Sequence, residues 1–160
     1  MSELIEIERK FLVLSDVFKS EAFNKTRIVQ GFLNSDKERI VRVRLRGHDG
    51  FLTVKGKPSE DGLSRFEWEK QISESDAEAL LKLCEKGLID KIRYEIKFGD
   101  HVFEVDEFFG DNNGLIVAEV ELKDVFEVFK KPDWLGEEVT GQSKYYNSQL
   151  LKHPFTTWSK

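Results

Sequence analysis

The stretch Ile5-Glu6-Ile7-Glu8-Arg9-Lys10-Phe11-Leu12-Val13 decides how the rest of this chain of 160 residues is read. Side chains on a strand point to alternate faces, so Glu6, Glu8 and Lys10 form one row and Ile5, Ile7, Arg9 and Phe11 the other. Two adjacent carboxylates repel unless positive charge lies between them, and a hard divalent cation meets that need. A lysine one step along the row then reaches an anion held by the metal. Taken alone, a solvated strand face is the simpler reading. The same inverted pattern returns along the chain, and the recurrence carries the argument.

In Ile40–Arg46, Val41, Val43 and Leu45 alternate with Arg42, Arg44 and Arg46. The turn Gly47-His48-Asp49-Gly50 predicts a hairpin into Phe51–Gly56, where Thr53 and Lys55 share a face. Arg65–Ile72 sets Glu67, Glu69 and Gln71 against Phe66, Trp68 and Ile72. Asp90–Lys97 places Lys91, Arg93, Glu95 and Lys97 in one row. His101–Asp106 carries Glu104 and Asp106, and Leu115–Leu122 carries Glu119 and Glu121. With Thr26–Leu33 these make eight strands.

Helices are expected over Asp16–Asn24 with Ser15 as cap, from a capping box Ser75-Asp76-Ala77-Glu78 to a stop at Gly87, over Asp124–Lys131, and over Gln142–Lys152. The second would bury Leu80, Leu81, Leu83, Cys84 and Leu88. The tail His153–Lys160 is expected to pack Phe155 and Trp158 back on the body.

The length suits a single domain, 1–160, with a real core. Hydrophobic residues make up 39% and charged residues 34%, yet 13 Phe, 3 Trp and 3 Tyr supply bulky core material and argue against disorder. A net charge of −5 excludes a wholly basic nucleic-acid surface but not one concentrated basic site. Cys84 is the sole cysteine, which leaves no disulfide and no cysteine-based zinc site. Met1-Ser2-Glu3-Leu4 runs directly into the first strand, so no signal peptide is expected, and no apolar run reaches the ~20 residues of a membrane helix. A soluble, cytoplasmic protein is the expectation.

The charged rows allow an open sheet with wet rows or a closed sheet with the rows inside. A dry barrel interior excludes this much charge, because each unpaired buried ion costs several kcal/mol. A wet tunnel holding metal and a polyanion accommodates it. Arginine and lysine in this number suit a chain of phosphates, and the carboxylates suit Mg²⁺ or Mn²⁺. Walker, dinucleotide, zinc-protease and nucleophile-elbow motifs are absent. His48, His101 and His153 are scattered, which fits surface or packing roles.

Glu6-Ile7-Glu8-Arg9-Lys10-Phe11 resembles the Glu-X-Glu-X-Lys signature of the CYTH domains, or triphosphate tunnel metalloenzymes. The resemblance spans essentially the whole chain. It continues through Arg42-Val43-Arg44, Leu52–Gly56, Glu67-Trp68-Glu69, Lys91–Tyr94, Ala118–Leu122, Gly136–Thr140 and Tyr145–Leu150. It implies an α+β, mainly β fold: an eight-stranded antiparallel β-barrel, or tunnel, with helices packed outside. It implies metal-dependent triphosphate hydrolysis, with Glu6, Glu8, Glu119 and Glu121 on the metal. Lys10, Arg42, Arg44, Lys55, Lys91 and Arg93 would hold phosphates, with Lys10 and Lys55 as the catalytic lysines. Glu67 and Glu69 would hold a second metal or position water, whereas Glu104 and Asp106 are open to pairing with neighbouring bases. Phe32 departs from the tyrosine often found in short bacterial members, and it has no hydroxyl with which to bond Lys10.

Compact size favours a small substrate, inorganic tripolyphosphate first. Thiamine or nucleoside triphosphates, an adenylyl cyclase reaction, and a non-catalytic polyphosphate-binding module are the alternatives. No membrane or general nucleic-acid partner is expected. The apolar outer faces need cover from helices or from a second subunit in a homodimer.

Overall fold

The computed structural model describes residues 4–159; Met1, Ser2 and Glu3, read above as the lead into the first strand, and the terminal Lys160 lie outside the described residues. The strands are β1 (Ile5–Val13), β2 (Asn24–Asn34), β3 (Arg39–Arg46), β4 (Asp49–Gly56), β5 (Ser64–Ile72), β6 (Ile89–Phe98), β7 (His101–Phe108), β8 (Ile116–Glu121) and β9 (Leu135–Glu138). Their hydrogen-bonded order is β5-β4-β3-β2-β6-β7-β8-β1-β9, and a further β5–β1 pairing closes the first eight into an antiparallel barrel.

β1 forms the seam. On one side Glu8–Leu12 pairs with β8. On the other, Ile5–Ile7 pairs with β5 and Phe11–Val13 with β9. Between those two partners the Glu8 amide donates to Leu63 O at 3.0 Å, and the Lys10 amide donates to Thr140 Oγ1 at 2.9 Å. Closure turns the charged rows inward, because every strand keeps its alternation around the barrel.

The apolar faces therefore lie outside. Phe11, Tyr94, Ile96, Phe103, Val105, Ala118 and Val120 form one buried cluster beneath Phe18 and Trp134. Phe18 belongs to α1 (Phe18–Glu21) and meets Tyr94 edge-on at 5.3 Å. α2 (Glu74–Leu81) lies over β2, β3 and β4. Its close approach requires glycine at Gly50, where a Cβ would sit 2.8 Å from that of Ala77. A second cluster joins Phe32, Ile40, Ile89, Phe108, Leu115 and Val117 to Tyr145 and Leu150 of the C-terminal segment. There α3 (Asn147–Lys152), preceded by a 3₁₀ turn at Ser143–Tyr145, closes one end of the barrel. Ile5, Phe66 and Trp68 remain 39–46% exposed on the outside of β1 and β5, where no helix covers them. No helix among the described residues is long and apolar enough to cross a membrane.

Several local expectations require correction. No helix forms over Asp124–Lys131. Asp124 Oδ1 takes the Phe126 amide at 2.8 Å and Glu127 Oε1 takes the Lys123 amide at 2.6 Å, so side chains satisfy donors that a helix needs. Phe129 packs against Phe11 and Phe103, whereas Phe126 and Val128 are 87% and 88% exposed. The first helix is a single turn that begins after Val17 with no side-chain cap. α2 is capped by Ser73, whose hydroxyl accepts the Asp76 amide, and not by Ser75; it ends at Leu81, well before Gly87. Leu83 and Leu88 are mostly exposed as a result. The final helix is only Asn147–Lys152, and β9 was not expected.

Candidate active site

The barrel encloses a polar cavity of about 210 Å³. Phe32, Ile40, Tyr146, Asn147 and Ser148 line it together with a set of carboxylates that includes the exposed Glu121. Lys10, Arg42, Arg44, Lys55, Lys91, Arg93, Glu6, Glu8, Glu67, Glu69, Glu119 and Glu121 all line it, so every site residue named from the sequence is brought to one space.

Register explains the acidic wall. Glu8 stands opposite Glu121 and Lys10 opposite Glu119 in the β1–β8 ladder, and Glu104 stands opposite Glu119 across β7–β8. Burial and the charges of Glu119 and Glu6 push the Glu8 carboxyl well above its ordinary range, and it shares a hydrogen bond with Glu119. Burial would also raise Glu119, but Lys10, the bond from Glu8 and Arg93 hold it well below. Glu6 is moved up by burial and down, on balance, by Lys55 at 3.0 Å. Lys55 also reaches Glu67 at 3.3 Å, and burial together with Glu6 raises Glu67.

The basic wall comes from β3, β4 and β6. Arg44 and Arg42 reach Glu69 at 3.2 and 3.5 Å, and Thr53 donates to the same carboxylate at 2.7 Å. The Nε atoms of Arg42 and Arg44 are buried with no acceptor. Arg93 holds Asp106 through two hydrogen bonds of 2.8 and 2.9 Å and reaches Glu104 at 3.3 Å. Lys91 adds a third bond to Asp106 at 2.8 Å. Asp106 and Glu104 thus pair with neighbouring bases. Burial lowers Lys91 to about 8, against the pull of Asp106.

Lys10 lies 3.6 Å from Glu119 and 5.1 Å from the centroid of the Tyr146 ring. Burial depresses its ammonium, but Glu119 and Glu8 outweigh that and raise it. Phe32 is buried and lines the cavity; the restraints on Lys10 come from Glu119 and the face of Tyr146.

Sequence reasoning missed Arg65, Tyr146, Asn147 and Ser148, all of which line the cavity. Arg65 extends the inward row of Glu67 and Glu69 by one alternation, so a signal was present. Its guanidinium is tethered to Gly56 O at 2.8 and 3.1 Å and stands opposite Glu6 in the ladder. The other three sit in a segment whose periodicity gives no hint that it enters a barrel.

The carboxylate set fits a divalent cation chemically. Burial and the neighbouring Glu119 and Glu6 disfavour the charged form of Glu8, a cation would relieve that repulsion, and all the donors are oxygen. Among the described residues no three acidic or histidine side chains already converge at ligand spacing, since lysines occupy the gaps.

Residues 4–152 match the family model described as the CYTH domain. An inorganic triphosphatase of Acetivibrio thermocellus is 47% identical over 97% of this chain and 98% of its own length. An inorganic triphosphatase of Nitrosomonas europaea is 38% identical over 92% and 97%. A crystal structure of an inorganic triphosphatase superposes with a TM-score of 0.62 at 33% identity, covering 91% of this chain and 93% of that one. Barrel, charged lining and sequence agree, and the chain belongs to the CYTH domain family.

Proposed function

We propose that this chain, as one CYTH domain over 1–160, is a cytoplasmic inorganic triphosphatase that cleaves tripolyphosphate to pyrophosphate and phosphate with Mg²⁺ or Mn²⁺. The observation that carries the reading is the convergence of Lys10, Arg42, Arg44, Lys55, Lys91 and Arg93 with a row of carboxylates on one cavity. Guanidinium and ammonium donors gathered in this number match the oxygens of a phosphate chain in charge and geometry. The activity named for the two close relatives supports the same substrate class.

In this reading Arg42, Arg44, Lys55, Lys91 and Arg93 hold the phosphate chain, with Lys10 beside the scissile bond. Glu6, Glu8, Glu119 and Glu121 hold the divalent cation, which supplies Lewis acidity toward phosphate oxygens and water. Glu67 and Glu69 complete the lining as second-metal or water-positioning groups. Burial and Glu6 raise the proton affinity of Glu67, which suits it to accepting a proton from water. Glu69 is engaged by two arginines and Thr53, which suits it to ordering Arg42 and Arg44.

The test is phosphate release from tripolyphosphate, thiamine triphosphate, ATP and GTP under saturating Mg²⁺ or Mn²⁺, with EDTA controls and cyclic AMP also assayed. Fast, metal-dependent release from tripolyphosphate alone is expected. Preference for another member of the panel replaces the substrate. Tight tripolyphosphate binding without turnover of any compound replaces the enzyme with a binding module.

A further inference from the structure

Lys91 is the most enclosed cation of the cavity, 1% exposed, and three elements determine where its ammonium sits. Asp106 of β7 lies 2.8 Å from it, but both oxygens of that carboxylate are already engaged by Arg93 at 2.8 and 2.9 Å. The second contact is Oδ1 of Asn147, 3.0 Å away, at the start of α3. An ammonium can only donate, so the carboxamide oxygen has to face it. The same oxygen accepts Nε2 of Gln30 at 3.0 Å, and Gln30 is fully buried on β2, the strand that pairs with the one carrying Lys91.

We propose that Asn147 is a positioning residue for triphosphate binding: its carboxamide oxygen, anchored by Gln30, holds the Lys91 ammonium in place toward the phosphate site. The inference rests on the triphosphate reading of the cavity. A neutral acceptor is required for this task. Lys91 and Arg93 are already balanced in formal charge by Asp106 and Glu104, and a further carboxylate would orient Lys91 while turning the cluster net negative toward the phosphate. Asparagine restrains the cation and leaves the attraction intact. It also couples binding to the C-terminal segment that closes the barrel, since Asn147 follows Tyr146, whose ring faces Lys10.

The test measures sodium tripolyphosphate binding by calorimetry in EDTA, alongside steady-state phosphate release with metal. Asn147→Ala is expected to bind about tenfold more weakly, the low end for one hydrogen bond to a charged group, with the loss expressed in KM and kcat little changed. In a Lys91→Met background the same substitution is expected to change affinity less than about twofold, because its effect passes through Lys91. Gln30→Met keeps the volume, removes a buried Oε1 that has no partner, and frees Asn147; a smaller loss in the same direction is expected, and it decides the matter if Asn147→Ala does not fold. Wild-type affinity in both Asn147→Ala and Gln30→Met overturns the inference. So does a full tenfold loss in the Lys91→Met background, which would place the carboxamide on the phosphate itself. Failure of the wild type both to bind tripolyphosphate in EDTA and to release phosphate from it with metal removes the triphosphate reading as well, and that outcome is distinct from either.

Discussion

Replacing Asp106 with asparagine separates what buried charge does for the fold from what it does for an anion. Asp106 is 2% exposed; Oδ1 accepts Arg93 Nε at 2.8 Å, and Oδ2 accepts Arg93 at 2.9 Å and Lys91 at 2.8 Å. An asparagine of the same shape must turn its amide nitrogen toward one of these donors. The lesser fault places it against Arg93 Nε, leaving two buried cations with only Glu104, 3.3 Å from Arg93, as an ionised partner. Removing one member of a buried ion pair costs about 3–5 kcal/mol, and Glu104 keeps the loss near the lower figure. The carboxyl's proton affinity points the same way from the same contacts: burial would raise it, yet Arg93 and Lys91 lower it to about 2 from 3.8. That difference corresponds to about 2 kcal/mol. Urea unfolding at pH 7, followed by the fluorescence of the buried Trp134, should therefore show Asp106→Asn destabilised by about 2–3 kcal/mol. The folded carboxyl lies below its unfolded value, so its stabilisation is complete above about pH 4 and lost as pH falls toward 2. The gap between wild type and variant should close over that interval. The variant that remains folded should bind tripolyphosphate more tightly, because one negative charge has left the basic wall. A stability loss below about 1 kcal/mol, or a gap indifferent to acid, refutes the reasoning.

Lys10→Ala should lower turnover of tripolyphosphate by about 100-fold or more, with the melting temperature shifted by only a few degrees, as expected for loss of a charge that stabilises the transition state. Wild-type phosphate release in that variant would remove Lys10 from the mechanism. Glu121→Gln should shift the Mg²⁺ or Mn²⁺ titration of activity to higher concentration, and an unchanged titration counts against its place on the metal. Gly62→Ala should destabilise by about 1–3 kcal/mol, since its φ is +76° and the added Cβ would lie 2.2 Å from Gly141 Cα. A thermal melt that matches wild type would show that these two loops separate without cost.

β1 was legible because a charged row on one face and an apolar row on the other, repeated over most of the strands, has few physical solutions. The partners of each charge were not legible. Glu104 and Asp106 look from sequence like Glu119 and Glu121, and only the register, which sets Arg93 opposite Asp106, shows which base Asp106 meets. The helix expected over Asp124–Lys131 failed for a local reason. Val125, Phe126, Val128 and Phe129 have helical spacing, but the side chains of Asp124 and Glu127 take backbone amides into turns. β9 is four residues, Leu-Gly-Glu-Glu, with no alternation to read; its place is set by the seam on β1 that it fills. Tyr146 and Asn147 enter the site only because the second apolar cluster draws Tyr145 and Leu150 onto the barrel end. That is a tertiary cause, and no local pattern encodes it.

The presence of both signs in one cavity has a physical consequence. Lys10 is held by Glu119, Lys55 by Glu6 and Glu67, Arg42 and Arg44 by Glu69, and Lys91 and Arg93 by Asp106. An anion entering alone gains the basic wall but leaves the acidic wall short of positive charge, because it competes for lysines that Glu6 and Glu119 need. A cation entering alone meets the converse problem. A polyanion and a divalent cation arriving in the same cavity satisfy both walls at once, which is the charge pattern of a metal-bound triphosphate. A phosphate sensor has no use for Glu8, whose carboxyl burial and its neighbours push well above the ordinary range. A divalent cation beside Glu8, Glu119 and Glu6 would offset that cost.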